Sequence, residues 1–189
     1  MAPRHLRAVP DEPEPGAGDG GPDPGVVQEA REIVLRQLTG SPKSRRQLED
    51  KLAERDVPED VAAAVLDRME DVRLVDDSAY AEHFVRTRRR TKGLARGALR
   101  HELAQKGVRG EDAELALEAI SEDEERQSAL ELVERRLRGR SVPDGADEAS
   151  RAERDKVVRR LAGMLARKGY PPGMALGVVR EVVGGTDDD

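Results

Sequence analysis

Leu99-x-x-x-Leu103-x-x-Lys106-Gly107-Val108 decides the fold, because the chain repeats it. An earlier copy reads Leu48-x-x-x-Leu52-x-x-Arg55-Asp56-Val57, and a later one Leu161-x-x-x-Leu165-x-x-Lys168-Gly169-Tyr170. Successive copies start 51 and then 62 residues apart. Leucines four apart lie on one face of a helix, and a glycine after a lysine stops that helix in a left-handed turn. A period of this size signals tandem modules. Stacked modules make long surfaces more often than deep catalytic pockets.

Around each copy the apolar residues recur at helical spacing. In the first module, Val26, Ala30, Ile33, Val34 and Leu38 form one stripe, broken by Gly40-Ser41-Pro42. Ser44 and Gln47 form a capping box for the helix of Leu48 and Leu52. Pro58 starts a third helix with Val61, Val65, Leu66 and Met69 inside. In the second module Asp76 or Asp77 caps a helix bearing Tyr80, Ala81, Phe84 and Val85, which Lys92-Gly93 ends. Leu99 and Leu103 follow, then Gly107, then Ala113, Leu117 and Ile120. The third opens at the acidic run Glu122 to Glu125 and carries Ala129, Leu132, Val133 and Leu137. Its later helices hold Val158, Leu161 and Leu165, then, after Pro171-Pro172, Met174, Val178 and Val182. No strand pattern intervenes, so the fold expected is all-α: three tandem three-helix, helix-turn-helix-like repeats.

The boundaries expected are 1–25 for a disordered acidic tail rich in Pro and Gly, 26–75 for the first repeat, and 76–120 for the second. The third covers 121–183, with a loop insertion at 139–150 that explains the longer spacing, and 184–189 is an acidic tail.

Only Tyr80, Phe84 and Tyr170 are aromatic in 189 residues, so the cores rest on Leu, Val, Ile, Met and Ala. Modules of about 50 residues bury little surface alone, and neighbours must share the work of stability. The chain has no cysteine, which excludes disulfides and zinc-thiolate sites and is compatible with a reducing cytosol. No apolar run is long enough to span a membrane, and the N-terminus lacks the apolar core of a signal peptide. A cytoplasmic protein without membrane contact is expected.

Charge is unevenly spread. Residues 86–106 hold eight basic side chains and one acid, Glu102, so a chain of net charge −6 carries +7 here and −13 elsewhere. An anionic partner is implied. Arg88 shares a side with Phe84, one turn back, and reads as structural, by snorkelling over the core edge or pairing with an acid. Arg86, Arg89, Arg90 and Lys92 are freer to meet a partner, and Arg96 and Arg100 flank the stripe of the next helix. The alternative is a solvated charged face. Tyr80 and Phe84 read as core; Tyr170 reads as packing, with an exposed contact as the other possibility.

Catalytic motifs are missing. Thr39-Gly40-Ser41-Pro42-Lys43-Ser44 lacks the glycine before the lysine of a phosphate loop. His101-Glu102 has Gln105 where a zinc-binding helix would place its second histidine. His5 and His83 have no evident partners, and Asp76-Asp77 reads as a helix cap rather than a carboxylate pair. No metal, cofactor or enzymatic activity is expected.

The run Leu74-Val75-Asp76-Asp77-Ser78-Ala79-Tyr80-Ala81-Glu82-His83-Phe84-Val85-Arg86-Thr87-Arg88, with Lys92-Gly93 and the Leu99 to Val108 phrase, resembles the central signature of the RecX proteins, bacterial regulators of the RecA recombinase. The resemblance spans roughly residues 26–183. It implies an elongated, curved fold of three three-helix repeats and a monomer that binds in the groove of the RecA–DNA filament. It also implies inhibition of strand exchange and ATP hydrolysis, weak binding of single- or double-stranded DNA in some cases, and a place in recombination, DNA repair and the SOS response. Two positions depart from the pattern: Asp56 and Arg73 stand where a glycine is usual after a helix. The competing reading is a free-standing helical DNA-binding protein that acts without RecA. An enzyme with an unrecognised site is the remaining alternative, and would need His83 or His101 in a pocket beside paired carboxylates.

Overall fold

The computed structural model describes residues 23–140, 142–143 and 145–184. Among them are nine helices and no strand: α1 (Pro24–Gly40), α2 (Arg45–Ala53), α3 (Glu59–Asp71), α4 (Asp77–Lys92), α5 (Arg96–Gln105), α6 (Glu111–Glu118), α7 (Glu122–Leu137), α8 (Glu148–Arg167) and α9 (Pro172–Gly184). The main helix-on-helix packing lies inside successive trios. Each trio closes on its own apolar cluster.

The first two trios share one register. A shift of 51 carries the core positions Ala30, Val34, Leu48, Leu52, Leu66 and Met69 onto Ala81, Val85, Leu99, Leu103, Leu117 and Ile120, all buried. In the third trio Leu161 and Leu165 fill the same role, and α7 and α8 both pack on α9. The buried stripe of α9 is Ala175, Val178, Val179 and Val183, with Met174 and Val182 at its edge.

The trios join by a contact that the helical periods do not show. Lys106 and Lys168 end α5 and α8, and their backbone carbonyls are left over there by helix geometry. The Ser44 hydroxyl, at the start of α2, donates to the Lys106 carbonyl at 2.5 Å. The Ala95 amide, at the start of α5, donates to the Lys168 carbonyl at 2.9 Å. A carboxylate completes each joint: the Arg45 N–H donates to Asp77 Oδ1 at 2.8 Å, and the Arg96 N–H to Glu125 Oε1 at 2.6 Å. The electropositive start of a helix in one trio thus meets the electronegative end of a helix, and an acid, in the next. Ala95 belongs to the third core rather than the second for this reason.

Close approach explains the glycines. Gly107 has φ +84° and Gly169 φ +86°; a Cβ on Gly107 would fall on the Arg46 side chain, and one on Gly169 on the backbone of Ala98. Asp56 occupies the equivalent place in the first trio at φ 57°, and Arg73 sits at φ 55°. Among the described residues no earlier trio packs on Asp56, so only its conformation is constrained there. Aspartate tolerates that conformation.

Several local expectations are corrected. The helix expected from Val26 starts at Pro24, because the Asp23 carboxylate accepts from the Gly25 N–H and proline suits a first turn. The rest of the N-terminal tail, 1–22, lies outside the described residues. Pro58 is the cap residue of α3, not its first member. Of the two acids expected to cap α4, Asp76 does so, as the expectation allowed. Ser121 with Glu124 forms the capping box of α7, ahead of the acidic run. The insertion ends at Asp147, whose side chain caps α8, and α9 continues through Gly184. Residues 185–189 of the acidic tail lie outside the described residues.

Tyr170 is a core residue, 3% exposed, with its hydroxyl donating to the Gly93 carbonyl at 3.3 Å. Burial, then the nearby Glu125 carboxylate, push this phenol up to about 12, above its ordinary value near 10. The folded state favours the neutral ring, so this contribution is complete below pH ~10 and is lost as pH rises through about 12. Tyr170→Phe should lose less stability than the parent between those pH values, read by urea unfolding. In the same assay at neutral pH, Gly107→Ala and Gly169→Ala should each lose about 2–4 kcal/mol. Asp56→Gly should stay within about 1 kcal/mol of the parent.

Candidate functional site

The basic segment lies on α4 and α5. Tyr80, Ala81, Phe84 and Val85 are buried and fix which edge of α4 faces outward. Tyr80 and Phe84 stack with ring centres 5.9 Å apart, and the Arg88 guanidinium lies 5.0 Å from the Phe84 ring centre. Arg88 Nε also meets Glu102 Oε2 at 3.1 Å, and Lys92 Nζ lies 3.6 Å from Glu102 Oε1. Arg88 is therefore held by a ring and an acid at once.

The fold supplies acids to most of the other candidate cations. Arg89 Nη1 lies 3.3 Å from Glu124 Oε2. Arg96 gives its backbone N–H, Nε and Nη2 to Glu125, which is 2% exposed. Arg100 forms a two-pronged pair with Glu114, Nε to Oε1 at 2.7 Å and Nη2 to Oε2 at 2.8 Å. That bond holds the Glu114 carboxyl below its usual range and raises the guanidinium. Arg86 and Arg90 are exposed and have no acidic partner among the described residues. They stand one turn apart on α4, beside Arg89.

The third trio adds cations that the basic run in the sequence does not include. Arg135, on α7, lines the same hollow as Arg89 and Arg90, a cavity of about 310 Å³ that also touches Thr91, Ser128 and Glu131. Lys168 donates to the Lys92 carbonyl. Burial, then repulsion from Arg135 and Lys92, pull its ammonium below the ordinary lysine value. Like charges crowded at a joint favour an arriving anion. Arg135 lies far along the chain from the basic run, and only the docking of α7 brings it near. Glu125 was hidden in an acidic stretch that reads as a solvated helix start.

No cluster suited to a metal ion occurs among the described residues. His101 Nε2 is 3.0 Å from Gln105 Nε2, and His83 is exposed. His5 lies outside the described residues. In the loop that faintly resembles a phosphate site, Thr39 donates to the Leu35 carbonyl and Ser44 caps α2. No helix among the described residues is long and apolar enough to cross a membrane.

Residues 76–117 match the sequence family described as RecX, second three-helix domain, and residues 30–69 match RecX, first three-helix domain. The chain is 45% identical over 181 residues to the regulatory protein RecX of Streptomyces lividans, covering 90% of this chain and 92% of that one. It is 42% identical over 176 residues to the regulatory protein RecX of Thermobifida fusca, covering 93% and 89%. Its fold is similar to the crystal structure of RecX from Lactobacillus salivarius, with TM-score 0.68 and 22% identity over 84% of this chain and 97% of that one. A second crystal structure, of a regulatory protein RecX, gives TM-score 0.64 at 26% identity, covering 85% and 72%.

The two kinds of arginine separate by stability. Glu125→Ala strands a half-buried guanidinium and a helix start, and should cost about 3 kcal/mol in urea unfolding. Arg86→Ala and Arg90→Ala should each change stability by less than about 0.5 kcal/mol.

Proposed function

The chain belongs to the RecX family, and from that premise we propose that this regulatory protein binds the RecA–DNA filament and lowers RecA's ATP hydrolysis and strand exchange. One observation carries the reading. In a chain of net charge −6, Arg86 and Arg90 are exposed and without acidic partners among the described residues, on the trio that matches the family's second domain. Neighbouring arginines are held by acids, so the free pair is a local charge excess on a rigid helix. The binding surface proposed is Arg86, Arg89, Arg90 and Lys92, joined by Arg135, with Arg96 and Arg100 acting mainly as structural residues.

The packing also argues against action on DNA alone. All three aromatic residues are at least nine-tenths buried, so no ring is available on the basic face for base stacking. A long surface assembled from three trios, one of them basic, suits a partner that is itself a protein–nucleic acid polymer.

The test is RecA's DNA-dependent ATP hydrolysis with the intact protein and with an Arg86→Ala, Arg90→Ala double variant. The intact protein should inhibit at or below one copy per recombinase. The double variant should need about tenfold more protein, as loss of two exposed charge pairs allows. No inhibition under conditions where filaments form would overturn the proposal. Equal, steeply salt-dependent binding to bare DNA would favour the DNA-only role.

A further inference from the structure

We infer that the groove between α4 and α6 is a docking site for an acidic peptide segment carrying an apolar anchor. The inference deepens the reading above, on which it rests, by naming the chemistry that the second trio would grip. The groove encloses about 520 Å³, with Val85, Ala116 and Ile120 at its floor. Leu115 stands beside them, 54% exposed. Arg86 and Arg90 line the same groove, about 6 Å apart along the helix axis.

The other two trios carry different residues at the matching positions. The shift of 51 places Ala64 at the position of Leu115, Leu35 at that of Arg86 and Thr39 at that of Arg90. In the third trio, matching the buried residues of α7 and α9 to those of α4 and α6 places Gly177, Glu134 and Arg138 there. Leu115, Arg86 and Arg90 are therefore peculiar to the groove between α4 and α6, whereas the matching α1–α3 groove carries Arg31 and Arg68 beside the exposed Val72 and Leu74. The scaffold does not require these three side chains, since the other two trios pack with different residues in their places.

Charge complementarity names the occupant. Two cations about 6 Å apart match carboxylates two residues apart in an extended segment or four apart in a helix. An apolar side chain between those carboxylates would cover Leu115 and Ala119. A nucleic acid would satisfy the arginines but not the floor, which offers no ring for a base to stack on. Glu82 on the rim would repel a continuous phosphate backbone, whereas a peptide need place no charge beside it.

The chain has no cysteine, so Ala119→Cys gives a single labelling point in the groove. A benzophenone maleimide there, irradiated with RecA filaments on radiolabelled single-stranded DNA, should cross-link to RecA. Mass spectrometry should place the adduct on a segment with two carboxylates within four residues of an apolar side chain. Arg86→Glu with Arg90→Glu in the same background should lower the yield about tenfold, and Leu115→Ser should weaken filament binding several-fold. Cross-links to DNA or to a segment without such carboxylates, or a yield indifferent to charge reversal, would overturn the inference. Co-sedimentation of the unmodified protein with the filament, measured in parallel, separates the two readings. Its failure overturns the proposed function, whereas co-sedimentation with no adduct from the groove overturns the docking site alone.

Discussion

A carbonyl at the end of a helix, captured by the start of a helix in the preceding trio, is the contact on which the rest of this structure depends. Lys106 and Lys168 offer those carbonyls, and Ser44 and the Ala95 amide take them. Each side brings groups that its own helix cannot satisfy, so the joint removes unpaired polar groups from both. Asp77 and Glu125 finish the arrangement by accepting from the Arg45 and Arg96 amides. The contact is directional, unlike apolar packing, and it sets the orientation of trios whose own cores are separate. It also fixes glycine at 107 and 169, where a side chain would collide with the neighbour.

The same joints organise the charge. Burying Glu125 against Arg96 uses an arginine of the basic run to hold two trios together. Glu114, Glu102 and Glu124 hold Arg100, Arg88 and Arg89 in defined positions. What remains outward is a short ridge, Arg86 and Arg90, with Arg135 brought alongside by the docking of the third trio. The local excess of +7 in the sequence is thus divided between scaffold and surface, and the surface share is the one available for function.

The repeat, the helices and the core leucines were legible in the sequence because each depends on residues three or four apart. The constant shift of 51 could be read directly from Leu48 and Leu99. The capping box at Ser44 was equally local. The start of α5 was not legible: Ala95 offers no side-chain cap, and the groups that satisfy this end come from Lys168 and Glu125 in the next trio. The acids that hold Arg96 and Arg100 were not legible for the same reason, since they lie 29 and 14 residues away. A helical wheel sees one helix and no partner for it. The unusual Asp56 became intelligible only once the glycines at 107 and 169 were seen to face a preceding trio.

The docking of successive trios is tested most directly by amide hydrogen exchange on the intact chain. Amides in a first helical turn ordinarily exchange fast because they lack a backbone acceptor. The Arg45, Ala95 and Arg96 amides should instead be protected as strongly as those in the middle of α2 and α5. The first-turn amides of Glu111 and Asp112, on α6 with no side-chain cap, should exchange quickly. Rapid exchange at Arg45, Ala95 and Arg96, at the rate of Glu111 and Asp112, would contradict the joint and the placement of Arg135 beside Arg90 that follows from it.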